Sequence, residues 1–218
     1  MRAAIVLAGG RSSRLGGVDK TGLIGPDGRS CLTHVVAACP VAAPVVLVGA
    51  GVADRLIEWS PAERERLLTA CEEPPGSGPA RALVAGWRAL GTAGVSADWV
   101  LVLAGDLPLA GLAMPAMLAA ATVAPRTVEG VVARVGARWQ WLLALYRWSA
   151  LADLDERLAA GSGGESLRWC WAGRRLSPVP MTAAAAHDLD TWADVQQARF
   201  ETRSPDNGGQ RRGGHEND

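Results

Sequence analysis

Between positions 7 and 20 the chain reads LAGGRSSRLGGVDK, which sets four glycines and three cations, Arg11, Arg14 and Lys20, around one acid, Asp19. Gly9 and Gly10 let a backbone approach a ligand closely and adopt positive φ. Successive N–H groups in such a loop form a concavity that suits an anion. Arg14 and Lys20 can add charge-assisted hydrogen bonds, each worth roughly 1.5–3 kcal/mol. A polyphosphate fits that chemistry; a loop of solvated charges is the other reading. The pattern is neither G-x-G-x-x-G nor G-x-x-x-x-G-K-[ST], because Lys20 follows Asp19 and not glycine.

Three further stretches carry chemistry. Glu72-Glu73-Pro74-Pro75-Gly76-Ser77-Gly78-Pro79 is a second rigid, glycine-rich loop. Leu103-Ala104-Gly105-Asp106-Leu107-Pro108 ends an apolar run on one carboxylate, which can hold a metal or simply form a turn. Asp188-Leu189-Asp190-Thr191-Trp192-Ala193-Asp194 offers further carboxylates, and Asp190 is also a candidate helix cap. No Ser-His-Asp or His-Glu arrangement is evident, and His34, His187 and His215 are far apart.

These loops need elements to hold them. Apolar runs at 3–8, 44–48, 67–73 and 98–104 read as strands, the third weaker and the fourth clearest. Residues 129–135, 139–146 and 175–181 read as three more, and 21–24 as a short one. Helices are predicted at 30–39, 52–66, after the loop that ends at Pro79 to about Leu90, 111–121, 148–160, 164–171 and 191–200. Strands alternating with helices predict a three-layer α/β/α fold with a mostly parallel, Rossmann-like sheet. Loops 9–20, 49–51, 74–79 and 105–108 each follow a strand and are expected on one rim, where such sheets bind ligands. Trp139 and Trp141 share a strand face and read as core or pocket wall. Arg147, at a strand end, is either a phosphate contact or solvated.

Composition narrows the class. The chain has 218 residues, is 49% hydrophobic and has a formal net charge of zero. That length fits one domain over 1–200, followed by a polar tail, 201–218, expected to be disordered. The balanced charge predicts no nucleic-acid partner and no membrane surface. Cys31, Cys39, Cys71 and Cys170 form no C-x-x-C pair and read as buried thiols in a reducing, cytoplasmic setting.

The string L-A-G-G-x-S-x-R-L-G-x-x-D-K, with the 73–79 loop, L-A-G-D-L-P, the 139–147 strand and the 188–194 segment, resembles the molybdenum cofactor guanylyltransferases. The likeness runs in order over roughly residues 3–200. It implies a nucleotide-diphospho-sugar-transferase-like fold and transfer of GMP from GTP to the terminal phosphate of molybdopterin, releasing pyrophosphate. It further implies that Leu7, Ala8, Gly9 and Gly10 hold guanine and phosphates through backbone groups. Glu73, Gly78 and Pro79 would line the nucleotide site, and Arg14 and Lys20 would neutralise the triphosphate. Asp106 would carry Mg²⁺, with Asp190, and less directly Asp188, near the same metal or the pterin. Implied partners are GTP, molybdopterin and the proteins that carry or accept it.

Three positions depart from the family pattern. Glu73 stands where Asp is common, Gly49 where some members have Asn, and Ala80-Arg81-Ala82 where Leu-Ala-Gly is common. Gly10 favours guanine, since related cytidylyltransferases usually have alanine there. The rival readings are a cytidylyltransferase for the same cofactor, a guanylyltransferase for another small phosphate, and a non-catalytic nucleotide-binding protein.

Overall fold

The computed structural model describes residues 2–9, 15–161 and 166–202. Seven strands form one sheet: β1 (Arg2–Leu7), β2 (Val45–Val48), β3 (Leu67–Ala70), β4 (Trp99–Ala104), β5 (Gly130–Val135), β6 (Arg138–Arg147) and β7 (Leu176–Pro180). Their order is β3-β2-β1-β4-β6-β5-β7. The pairs from β3 to β4 are parallel, as is β5 with β7, whereas β6 runs antiparallel to both neighbours.

Residues alternate between the two faces, as the pleat requires. Ala4, Val6, Val45, Leu47, Leu101 and Leu103 pack with α1 (Cys31–Ala38) and α4 (Met114–Val123). Ile5, Leu7, Val46, Val48, Val100 and Val102 pack with α3 (Pro79–Thr92), α5 (Trp148–Ala159) and α6 (Leu167–Cys170). Both faces of the central strands are covered, so β1, β2 and β4 read as unbroken apolar runs. The expected three-layer architecture is the one observed.

Four local expectations are corrected. Residues 21–24 are not a strand: a 3-10 turn spans Lys20–Gly22, because Asp19 Oδ1 accepts from both Thr21 N–H and Thr21 Oγ1–H. Residues 52–66 are two pieces. A 3-10 segment, Val52–Glu58, precedes α2 (Pro61–Arg64), which restarts from a Ser60/Glu63 capping box with Pro61 inside. Cys71 is exposed, since it lies just past the edge strand β3, while Cys31, Cys39 and Cys170 are buried and all four are free thiols. Glu201, assigned above to the tail, pairs with Ile24 through N–H···O bonds of 2.7 and 2.9 Å. Residues 203–218 lie outside the described residues, and with them the expectation of disorder.

Two glycines are required by close approach. A Cβ on Gly49 would sit 2.6 Å from Gly9 N, because Ala8 N–H and Gly9 N–H both donate to Val48 O. A Cβ on Gly105 would meet Leu7 O and Ala8 Cα at 3.0 and 3.1 Å. Gly49→Ala is therefore expected to cost roughly 1–3 kcal/mol in urea unfolding, since backbone and not a side-chain tip must move. An unchanged unfolding midpoint would contradict this. No described helix is long and apolar enough to cross a membrane.

Candidate functional site

The carboxyl ends of β1 and β4, the start of α3 and the Lys20–Gly22 turn enclose a cleft of about 430 Å³. Leu7, Ala8, Gly9, Lys20, Gly78, Pro79 and Asp106 all border it, so most of the residues nominated from sequence meet in one place. Gly10 and Arg14 lie outside the described residues. Glu73 does not border the cleft: it is exposed and lines an adjoining lateral concavity with Glu72, Arg81 and Arg88. Its neighbour Glu72 is buried and lines the cleft, with Oε1 accepting from Gly76 N–H at 2.9 Å. Counting in twos from Leu68 and Ala70, which face α3, picks out Glu72.

Lys20 is the centre of the site, and it is the only lysine among the 22 basic residues. Its Nζ donates to Asp106 Oδ2 at 3.3 Å and to Asp190 Oδ1 across 170 positions of sequence. The Lys20 side chain is 15% exposed. That burial works against the charge, but the hydrogen bond to Asp190 and the charges of Asp106 and Asp190 outweigh it and raise the lysine pKa. Asp188 moves up too, through partial burial and the charges of Asp190 and Asp106.

Asp190 reaches this point because a small core ties the two ends of the chain together. Leu15 and Leu23 pack with Cys31, Leu189, Val195 and Phe200. Leu189 N–H donates to Asp106 O at 3.2 Å, which seats the segment beside the end of β4. Asp190 is not the cap of α7 (Trp192–Gln197); Thr191 and Asp194 form that capping box. Asp190 Oδ1 accepts from Lys20.

The backbone differs from the expected row of open donors. Ala8 and Gly9 N–H are both taken by Val48 O, because the β1–β2 ladder runs one rung further than the strand. These residues form wall and close approach. The start of α3 supplies the other polar feature. Gly78 caps it at φ 102°, a conformation glycine tolerates, and Pro79 opens its first turn. A fourteen-residue helix directs its partial positive end to this cleft.

Among the described lining residues, Asp19, Glu72 and Asp106 outnumber Lys20, and Asp190 adds another negative charge beside it. Such a cleft favours an anion that arrives with a metal. Asp106 and Asp190 already direct oxygens at one cation, and hard carboxylate donors suit Mg²⁺, which keeps water and phosphate oxygens in its remaining positions. Among the described residues no group of three or more His, Cys, Asp or Glu that could hold a metal ion is present. The residues present fit a divalent cation.

Two other candidates are placed elsewhere. Because β6 is antiparallel, Arg147 ends on the opposite rim, where it donates to the Ala124, Pro125 and Val128 carbonyls and covers Trp99 at 3.9 Å. It braces the fold. Trp139 and Trp141 stack at 5.5 Å and pack on the α3 side of the sheet; Leu142, between them and the rest of β6, borders the cleft.

The MobA-like NTP transferase domain family matches residues 4–179. A probable molybdenum cofactor guanylyltransferase of Chloroflexus aggregans is 35% identical over 207 residues, 90% of this chain and 92% of that protein. The molybdenum cofactor guanylyltransferase of Burkholderia cenocepacia is 35% identical over 199 residues, 88% of this chain and 93% of its own. Among solved structures, molybdopterin-guanine dinucleotide biosynthesis protein A of Archaeoglobus fulgidus superposes with a TM-score of 0.65 at 17% identity, covering 91% of this chain and 96% of that one. A nucleotidyl transferase of Methanothermobacter gives 0.67 at 21% identity, covering 91% and 96%. These structural likenesses concern the fold.

Proposed function

The chain belongs to the MobA-like NTP transferase family, and on that premise we propose that it transfers GMP from GTP to molybdopterin, forming the guanine dinucleotide cofactor and pyrophosphate. The observation that carries this reading is that Lys20 and Asp106 border one cleft at the carboxyl rim of the sheet, with Asp190 bonded to Lys20 beside them. A terminal phosphate oxygen of molybdopterin attacks the α-phosphorus of GTP. The bond from that phosphorus to the bridging oxygen breaks, and pyrophosphate leaves with its electron pair. The nucleophile is already anionic near neutral pH, so no side chain needs to remove a proton. The work left to the protein is to align two anions and to offset their charge.

Each residue then has a task. Asp106 and Asp190 would hold Mg²⁺, which when bound neutralises phosphate charge. Lys20 keeps the two carboxylates together, and its flexible stem lets the ammonium turn to the phosphates of the nucleotide. The α3 N-terminus and Gly78 accommodate phosphate oxygens. Glu72 supports guanine: an ionised carboxylate only accepts, and the guanine edge offers two adjacent N–H donors where cytosine sets an acceptor beside its amine. Arg14, from the same loop, would add a second cation. Free thiols and the use of GTP are in keeping with a cytoplasmic enzyme.

The test is pyrophosphate release from purified protein with Mg²⁺, molybdopterin and either GTP or CTP. GTP is expected to be consumed with one pyrophosphate per product and CTP far more slowly. Preference for CTP would reassign the nucleotide, and absence of release with every acceptor would leave only nucleotide binding.

A further inference from the structure

Arg55 lies in the 3-10 segment Val52–Glu58 and does not border the cleft. Its side chain is nevertheless only 15% exposed, and all five of its N–H donors are engaged. One terminal nitrogen donates to Asp19 Oδ2 at 2.6 Å and Thr21 Oγ1 at 2.7 Å. The other donates to Thr21 O at 3.0 Å and Glu58 Oε2 at 3.2 Å, and Nε donates to Glu58 Oε1 at 2.8 Å. Glu58 in turn accepts from Ser30, the N-cap of α1.

The residues gripped on the cleft side, Asp19 and Thr21, are the two neighbours of Lys20. Asp19 and Glu58 together more than offset the guanidinium charge, so Arg55 adds no net positive field for an anion. What it supplies is geometry. A rigid planar fork holds the backbone and side chains on either side of Lys20 against α1 and the segment after β2. We infer that Arg55 is a positioning residue that fixes the turn from which Lys20 reaches Asp106 and Asp190. This rests on the proposed role of Lys20 in GMP transfer.

A double-mutant cycle tests it, using kcat/KM for pyrophosphate release by wild type, Arg55→Ala, Lys20→Ala and the double variant. Arg55→Ala is expected to lower the rate about 10–100-fold in the wild-type background, on the order of a displacement near the reacting groups. In the Lys20→Ala background it should cost less than about twofold, a non-additivity that general weakening of the fold would not give. Arg55→Lys, a point charge without the fork, takes the same place in the cycle if Arg55→Ala does not fold.

A second measurement is independent of turnover. Because Lys20 is the only lysine, protein labelled with lysine carrying ¹⁵N at Nζ shows one side-chain ammonium signal. That signal is expected to shift toward solvent values in Arg55→Gln, which removes the fork without adding a second lysine, under conditions where the variant remains folded by circular dichroism. Equal costs of the Arg55 change in both backgrounds, or an unmoved Lys20 signal, would overturn the inference. Failure of the wild type to release pyrophosphate would instead strike the functional reading, leaving the labelled-lysine result to decide the role of Arg55.

Discussion

Lys20→Ala is expected to lower pyrophosphate release by about 10³-fold, near the lower end of what loss of a phosphate-contacting cation costs phosphoryl-transfer enzymes. The described part of the cleft has no second lysine to take its place, and Asp188 keeps the charges of Asp190 and Asp106 nearby without the cation that offsets them. The same variant should melt lower at neutral pH. Burial and the charges of Asp190 and Asp106 already raise Asp188, and loss of the lysine charge that opposes them raises it further, so the folded variant takes up more protons on acidification. Its stability deficit should shrink as the pH falls toward about 4, where carboxylates protonate. A deficit that widens on acidification, or a rate near that of wild type, would refute the assignment. Steady-state kinetics and melting curves across pH read both.

Asp106→Asn is expected to abolish tight Mn²⁺ binding and to lower the rate by about 10³-fold, because metal stabilisation of developing charge is worth several kcal/mol and each 1.36 kcal/mol is tenfold. Asparagine keeps the shape and an oxygen that can still accept from Lys20, so the fold should persist. Only the charge is removed. Mn²⁺ titration followed by electron paramagnetic resonance, with and without GTP, measures the first effect apart from the second. Unchanged metal affinity would remove Asp106 from the metal site, whatever the rate.

The strands and most helices were legible because their signals are local. β1 and β4 are covered on both faces, and such strands are apolar at nearly every position. Proline and glycine mark several boundaries, as at Pro79 and Gly78, where a helix start needs no more than its own neighbours. The short segments were misread where side chains compete with the backbone. Asp19 captures Thr21 N–H and makes a turn of what composition suggested as a strand. Glu72 and Glu73 are chemically identical neighbours, and identity alone does not say that Glu72 is the one that reaches the cleft. Arg55 left no motif, since its partners lie 34 and 36 positions upstream and 3 downstream.

By itself the amino-acid sequence determined the order of the strands along the chain, the glycine-rich loops that follow them and the chemical types available at those loops. All of these depend on steric and polar preferences that act within a few residues. Only the tertiary structure decided that Lys20, Asp106 and Asp190 share one point, that Arg147 stands on the far rim, and that the Ala8 and Gly9 amides are already taken. The Lys20–Asp190 contact exists because Leu189, Val195 and Phe200 bury their surface against Leu15 and Leu23. Hydrophobic burial is non-directional and carries no marker of which distant partner will supply it.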